Sequence, residues 1–577
     1  MFPDQNTLED RIIVTEKNIT AWSLIRPFWV SEQKWSARGL LALVVAMNMA
    51  IVYINVRLNS WNVAFYDSLQ KRDVVAFRHA LVEFAFIVFP YVLIAIYRIY
   101  FRQMLEFRWR QWLTNNYVHR WLKDHAFYRI ERDHLADNPD QRISDDLQGL
   151  ASTTLALSLD LLSTLVTLFS FITILWTVAG ALSITLFHVP LRIPGYMVWV
   201  ALVYAIIGSV VMFKVGRPLV TINYQQQRVE ADFRFMLIRL RESAEQVALY
   251  DGAATETRRV GDAFERIRDN WRMVMRLTKR LTLVNSVYGQ VAIIFPLIAA
   301  GPQYFAGAFS LGVLMQINSA FGQVSDAMSW FIGSFSTLAN WRATVNRLRE
   351  FRRSIDQQHF AETESPATLA GGINLHRTAG RTVETHALAL ARPNGAALTT
   401  IADVVAVPGS RWLVRGPSGS GKSTLLRALA GLWAFGSGTI DIPAGARLLF
   451  VPQQSYMPID TLKANLCYPS DAAAFTDAQC QEVLIACQLA DFSERLTEST
   501  HWARLMSPGE QQRVAFARVL LQKPDIVCLD EATSALDTAT EAVLYRLLIE
   551  RLPDTTVVSV GHRDTLDAFH PEHLDLA

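Results

Sequence analysis

The sequence predicts an α-helical membrane region of six spans followed by a soluble α/β domain built around a phosphate-binding loop. Three observations carry this. Apolar runs long enough to cross roughly 30 Å of hydrocarbon crowd the first 340 residues and then cease. The strand–loop–helix pattern "SRWLVRGPSGSGKSTLLRALAGL" follows in the last third. Further on, the apolar stretch "IVCLD" ends on two adjacent carboxylates, Asp530 and Glu531.

A chain of 577 residues is too long for one core, and 51% hydrophobic is high for a soluble protein of that size. A formal net charge of +2 gives no reason to expect nucleic acid. The four cysteines, Cys467, Cys480, Cys487 and Cys528, lack CxxC spacing and read as buried or free thiols in a reducing compartment. The first eighteen residues are acidic where a signal peptide carries a basic stub and an apolar run, so no cleaved targeting segment is expected.

The spans are read at 39–56, 81–97, 161–182, 195–213 (after a Pro-containing loop) and 281–300, with a sixth, weaker one at 305–335 that polar residues interrupt. The segments from Arg98 to about Asp160 and from Lys214 to Arg280 are rich in Arg, and basic loops stay in the cytoplasm. Both termini are therefore expected there. These segments are helical in pattern, which predicts membrane helices that continue into the cytoplasm; separate soluble insertions are the alternative. Residues 351–384 have no long apolar run and many small or polar residues, and read as a linker. The expected division is an N-terminal segment at 1–38, a six-helix membrane region at 39–350, the linker, and a nucleotide-binding domain at 385–577.

The chemistry lies in that last domain. Residues 416–423 match GxxxxGK[ST]. Gly416, Gly419 and Gly421, with Pro417, Ser418 and Ser420 between them, let the backbone curl so that successive N–H groups and the following helix N-terminus face phosphate oxygens. Lys422 adds a positive charge for the β- and γ-phosphates, Ser423 offers a hydroxyl to Mg²⁺, and Thr424 completes the loop. Asp530 is the expected magnesium carboxylate. Glu531 is placed to orient and polarise the water that attacks the γ-phosphate, because phosphoryl transfer rests on positioning and charge neutralisation. Together these motifs predict ATP hydrolysis with Mg²⁺.

With these motifs in hand, the domain resembles an ATP-binding cassette (ABC). "LMSPGEQQR" is similar to the cassette signature, with Ser507, Gly509 and Glu510 on matching positions and Pro508 replacing a glycine. The resemblance implies that this helix start binds ATP held by a second cassette, so that two copies pair and share two ATP molecules. It further implies that Gln453 in "FVPQQSYM" contacts Mg²⁺, that Ser534 to Asp537 form the D-loop, and that His562 in "SVGHR" contacts the γ-phosphate. One element departs from the pattern. No Phe, Tyr or Trp lies between Ala361 and Arg411, where cassettes carry an aromatic for adenine, and Arg392 offers a guanidinium plane there instead. That leaves ATP-over-GTP selectivity open.

In the membrane half, "PFWVSEQKWSARGLL", "LADNPDQRISDD", "IPGYMVWVALVYAIIG", "EADFRFMLIRLRESAEQVALYDG" and "LGVLMQINSAFGQVSDAMSWF" resemble the SbmA/BacA group. Its cassette-bearing members include YddA-like proteins and a mycobacterial cobalamin transporter, with ABCD acyl-CoA transporters as more distant relatives. The resemblance implies an ABC exporter-type fold and a homodimeric half-transporter in the bacterial inner membrane, its cassette in the cytoplasm. The implied cargo is hydrophilic, such as cobalamin, antimicrobial peptides or bleomycin-like molecules, with lipid or acyl-CoA export as the alternative. "NPDQRISDD" and "EADFRF", the latter with Glu230, Asp232 and Arg234, are expected to dock on a cassette. Gln316, Ser319, Gln323 and Asp326 are spaced by three, four and three and share one helical face. Such a stripe either lines a wet cavity or bonds neighbouring helices.

Overall fold

A computed structural model describes residues 19–186, 189–363 and 372–576; the expectation about the first eighteen residues lies outside them. The chain divides into two compact units, Met1–Lys123 with Ile130–Asp356, and Gln357–Ala577 with Asp124–Arg129.

The first unit is built on helices Lys34–Lys71, Val74–Leu122, Leu147–Val178, Tyr196–Glu242, Ala253–Phe305 and Leu311–Thr363. The first five fall within helical stretches long and apolar enough to cross a membrane. The sixth is 53 residues long, but Gln316, Ser319, Gln323 and Asp326 dilute its apolar run. At 1.5 Å per residue the 49 residues of Val74–Leu122 reach about 74 Å. These helices therefore extend well beyond the thickness of a hydrocarbon layer. The expected third span ends earlier, at Val178, because an antiparallel hairpin of β1 (Ala181–Leu186) and β2 (Val189–Pro194) follows it.

Local chemistry sets the turns. Arg72 adopts the left-handed conformation that ends the first long helix, and Asp73 caps the next by accepting from the N–H groups of Val75 and Ala76. The last helix is capped by the first: Asp67 Oδ1 accepts from Gly312 N at 2.8 Å and Gln70 Oε1 from Leu311 N at 3.1 Å. Asn59 Nδ2 also donates to Gln316 O at 3.0 Å. A short helix, Ala21–Val30, buries Leu24 and Phe28, and the Phe28 ring stacks on Trp109 at 5.8 Å.

Sequence alone gave "NPDQRISDD" a docking role, but its last carboxylate points inward. Arg142–Asp146 forms a π-turn, and Asp146 is 6% exposed. Its Oδ2 accepts from Arg142 Nη1 at 2.8 Å and from Arg347 Nε at 2.9 Å, so the start of Leu147–Val178 is tied to the last helix. Burial by itself raises the Asp146 carboxyl, but the hydrogen bonds and charges of Arg347 and Arg142 win and hold it below the usual carboxylate range. Glu230 of "EADFRF" is also engaged within the unit. It accepts from Gln226 Nε2 at 2.8 Å, and Gln226 in turn accepts from Asn270 Nδ2 at 2.7 Å.

The second unit holds two main sheets. The first runs β3 (Asn374–Thr378), β8 (Gly436–Pro443), β4 (Val383–Ala391), β5 (Ala397–Thr400), with β6 (Val404–Ala406) pairing β4. The second is parallel throughout, in the order β14 (Glu572–Asp575), β7 (Arg411–Arg415), β13 (Thr556–Val560), β12 (Ile526–Asp530), β9 (Leu448–Val451). Short strands β10 (Asp460–Thr461) and β11 (Ser499–Thr500) pair separately. Parallel strands are covered on both faces and so read as apolar runs, and Ile526 to Leu529 are all buried. The linker expected at 351–384 contracts, because residues 351–363 continue the last helix and β3 and β4 begin at Asn374 and Val383.

Asp146→Asn leaves two guanidinium groups without their carboxylate. Breaking a buried pair typically costs ~3–5 kcal/mol. Arg347 is partly exposed, so about 2 kcal/mol is expected, seen as a lower thermal midpoint of the full chain in detergent. An unchanged midpoint refutes the tie.

Candidate nucleotide site and signature helix

In a parallel sheet all strands deliver their C-terminal ends to one edge. Four neighbouring strands here carry the expected residues to that edge: β7 leads into Gly416, β13 into His562, β12 ends on Asp530, and β9 leads into Gln453. Gly416, Gly419 and Gly421 have φ of 148°, 84° and 100°, which L side chains rarely adopt. A Cβ at Gly416 would also press within 2.6 Å of the Leu576 carbonyl. The loop ends at helix Lys422–Leu429, where Lys422 Nζ donates to Gly416 O at 2.7 Å and Pro417 O at 2.9 Å.

Ser423 Oγ lies 3.1 Å from Asp530 Oδ1. Glu531 sits in the left-handed region at φ 48°, a backbone strain of the kind concentrated at functional sites. Its carboxylate accepts from Gln453 Nε2 at 2.9 Å and approaches His562 Nε2 at 3.5 Å. Ser423 thus contacts Asp530, and Gln453 and His562 contact Glu531, the next residue along the chain. The residues present fit a nucleotide and its magnesium. Ser420 Oγ is buried without a hydrogen-bond partner inside the loop, and hydroxyl, carboxylate and amide oxygens suit Mg²⁺.

Among the described residues the side chains of Ser507 and Glu510 make no hydrogen bond to this group, although the same helix reaches it through Gln512 Nε2, 3.5 Å from Glu531 O. Ser507 caps helix Pro508–Gln522 in a capping box: Glu510 N donates to Ser507 Oγ, while Glu510 Oε2 accepts from Ser507 N and Oγ, each at 2.7 Å. Among the described residues, the side-chain hydrogen bonds of Ser507 and Glu510 run to each other and not to Gly416–Thr424, and the Ser507 carbonyl accepts from Gln511 N. Pro508 takes the first helical position, where its missing N–H costs nothing. Gly509 packs against the D-loop, since a Cβ there would lie 3.2 Å from Ala535 O. Asp537 N-caps Thr538–Arg551 through Thr540 N.

Sequence reading missed the residues that hold the D-loop. Gln512, one turn into the signature helix, accepts from Ala535 N at 2.9 Å and donates to Ser534 Oγ at 3.0 Å. Arg563 donates to Leu536 O and Ser534 O. Buried Glu541 accepts from Thr533 and Thr565 hydroxyls. Adjacency of Gln512 to the signature and of Arg563 to His562 was the available signal. Arg392 lies exposed in the turn after β4, where Gly395 N donates to its carbonyl. The following strand β5 brings Leu398 and Thr399 against Gly421. All four cysteines are buried and unpaired, and burial pushes the Cys487 and Cys528 thiols up to about 12.

Two family profiles match this chain: "ABC transporter transmembrane region 2" over residues 24–305 and "ABC transporter" over residues 402–534. Fold and motifs define a membrane protein that binds ATP and couples its hydrolysis to transport. The chain belongs to the ABC transporter family, with transmembrane region and ATPase domain fused in one polypeptide. It is 36% identical over 554 residues to an uncharacterized ABC transporter ATP-binding protein of Synechocystis sp., covering 94% of this chain and 81% of the relative. It is 32% identical to the inner membrane ABC transporter ATP-binding protein YddA of Escherichia coli, covering 94% of each. The human lysosomal cobalamin transporter ABCD4 is 25% identical, over 94% of this chain and 91% of that one. In fold it is similar to a bacterial Atm1-family ABC exporter solved with ATP bound, with a TM-score of 0.67, 20% identity and coverage of 94% and 93%.

One buried histidine near this edge makes a pH prediction. His570 contacts Leu566 O at 2.9 Å and Ser559 Oγ at 2.8 Å, and burial holds its pKa below the ordinary 6.5. A depressed histidine pKa favours the folded state above about pH 6.5 and loses that contribution as pH falls, because the unfolded chain then binds the extra proton. The thermal midpoint should fall between pH 7.5 and 5.5, and less steeply in His570→Gln. Equal slopes exclude His570 as the cause.

Proposed function

We propose that the chain is a half-transporter that works as a homodimer in the bacterial inner membrane, with its cassettes in the cytoplasm. We further assign it to the SbmA/BacA-like branch, moving hydrophilic cargo such as cobalamin or peptides. The observation that carries the dimer is the separation of two anion-binding helix starts within one chain: Gly416–Thr424 stands with Asp530, Glu531 and His562, and Ser507–Glu510 bonds to itself. A helix start with its N–H groups presented to one side suits a phosphate brought by another copy.

In each composite site the loop N–H groups and Lys422 hold the β- and γ-phosphates. Ser423, Asp530 and Gln453 hold Mg²⁺, which neutralises phosphate charge. Glu531, kept in place by Gln453, orients and polarises the attacking water, and His562 contacts the γ-phosphate. Ser507, Gly509 and Glu510 of one copy, with the D-loop through Asp537, close over ATP on the other. Arg392 stacks on the adenine in place of an aromatic ring.

Mixing protomers tests the shared site. With Lys422→Ala on one copy and Ser507→Arg on the other, a heterodimer confines both lesions to one site and leaves the second whole. The mixture should regain about half of wild-type ATP hydrolysis while each homodimer stays below a few per cent. No gain in purified heterodimers overturns the arrangement.

The cargo reading rests on the polar stripe of the sixth helix, supported by the cobalamin transport named for ABCD4. Gln316 is packed inside the protomer, Ser319 and Gln323 are half-buried, and Asp326 is exposed. The wet face therefore centres on Gln323 and Asp326, since polar groups inside a membrane face a partner or water. ATP-dependent uptake of cobalamin or a proline-rich peptide into proteoliposomes should fall at least tenfold in the Gln323→Leu, Asp326→Leu double variant, with a smaller loss of ATP hydrolysis. Uptake at the wild-type rate removes the stripe from cargo selection.

A further inference from the structure

The outer face of the mixed sheet β3-β8-β4-β5 carries a cluster that nucleotide chemistry does not use. Along β4 and β8, Val383, Leu388, Leu390, Ile440 and Ile442 turn into the core. The alternating positions turn away from it. Glu384 and His386 occupy two such positions on β4, and Asp441 on β8 is the register partner of Glu384. One ligand atom from each lies within 4.8 Å of the other two.

The separations are informative. His386 Nε2 lies 3.4 Å from Glu384 Oε2 and 3.7 Å from Asp441 Oδ2. An imidazole hydrogen bond to a carboxylate closes to about 2.8 Å, so these are long for that interaction. They match the edge of a tetrahedron whose centre bonds nitrogen and oxygen at about 2.1 Å, which is about 3.4 Å. A second group is already set for that arrangement: Thr382 Oγ1 donates to Glu384 Oε1 at 2.6 Å, fixing the carboxylate with Oε2 toward His386. Hydrogen-bonded ligating carboxylates of this kind are the usual outer support of metal centres.

A fourth donor is available on the neighbouring strand, although its ring stands outside the three-residue group in this conformation and would have to turn toward it. β3 pairs with β8 in parallel, and His376 is the register partner of Asp441. Its neighbour Leu375 packs on the core, while His376 is exposed on the same face as the other three. Three adjacent strands thus supply two imidazoles and two carboxylates, a set whose two negative charges balance one divalent ion. Mixed imidazole and carboxylate donors suit Zn²⁺ and its neighbours, whereas Mg²⁺ and Ca²⁺ prefer oxygen alone.

We propose that His376, Glu384, His386 and Asp441 form a structural zinc-class site that clamps β3, β8 and β4 together. The site is separate from the magnesium carboxylate Asp530 and does not depend on the transport reading. Full-length protein in detergent, stripped with EDTA and kept in excess Mg²⁺, is titrated with Zn²⁺ against a chromophoric chelator. One high-affinity Zn²⁺ per chain is expected. His386→Ala and Asp441→Asn should each weaken binding at least tenfold, and Thr382→Ala about tenfold, as for outer-shell changes. Zinc should raise the thermal midpoint of the wild type by about 5 °C and leave that of His386→Ala unmoved. Bound Co²⁺ should show the intense visible bands of tetrahedral coordination, reduced in His376→Gln. If a variant fails to fold without metal, Glu384→Gln takes its place in the same titration. Absence of micromolar zinc binding in the wild type, or unchanged affinity in the His386→Ala, Asp441→Asn double variant, overturns the proposal.

Discussion

Everything at the nucleotide edge depends on the shared direction of β7, β13, β12 and β9. A parallel ladder has one polarity, so four segments far apart in sequence release their next residues side by side. An antiparallel insertion anywhere in that order would send one group to the opposite edge. The strands are held in this arrangement by burial on both faces, with Leu413, Val527, Leu529 and Val557 in one core cluster and Val414, Ile526, Cys528 and Val560 in another. The apolar core is therefore what aligns the charged groups, and the contacts among Ser423, Asp530, Glu531, Gln453 and His562 follow from it.

The membrane unit solves a different problem. Helices of this length cannot be fixed by propensity alone, and their apolar faces do not distinguish one neighbour from another. Polar contacts supply the distinction. Asp67 and Gln70 cap the last helix from the first, Asn59 reaches the Gln316 carbonyl, and Asp146 ties Arg142 to Arg347. Each of these joins residues some two hundred positions apart or more, except for the Arg142 contact, and each needs a particular rotation of both helices about their axes. Specificity of packing is concentrated in a few groups whose burial would be costly without their partners.

Much of this was legible in the sequence because it is local. The phosphate loop, the strand ending at Asp530 and the helix start at the signature are short patterns whose spacing reports geometry directly. The residues that escaped are those whose meaning arises only when distant segments meet. Asp146 reads as a solvated turn residue until Arg347 is beside it. Gln512 and Arg563 read as ordinary helix and loop positions until the D-loop packs between them. His376, Glu384 and Asp441 become neighbours only through strand register, since β4 ends at Ala391 and β8 begins 45 positions later at Gly436. The linker was overestimated because polar composition marks exposure, and exposed helix and exposed loop share it. Gln316 likewise belonged to the right face of its helix, but its burial depends on the first long helix.

The length of the outer helices sets a mechanical gain. A helix of 53 residues, such as Ala253–Phe305, is a rod of about 80 Å. Turning such a rod by about 5° around one end carries the other end through about 7 Å, more than a helical turn. Very small angular changes at one extremity suffice for displacements on the scale of a side chain or larger at the other. The same leverage works in reverse, so a weak contact at the far end, acting through the full arm, resists rotation more than an equal contact placed near the pivot.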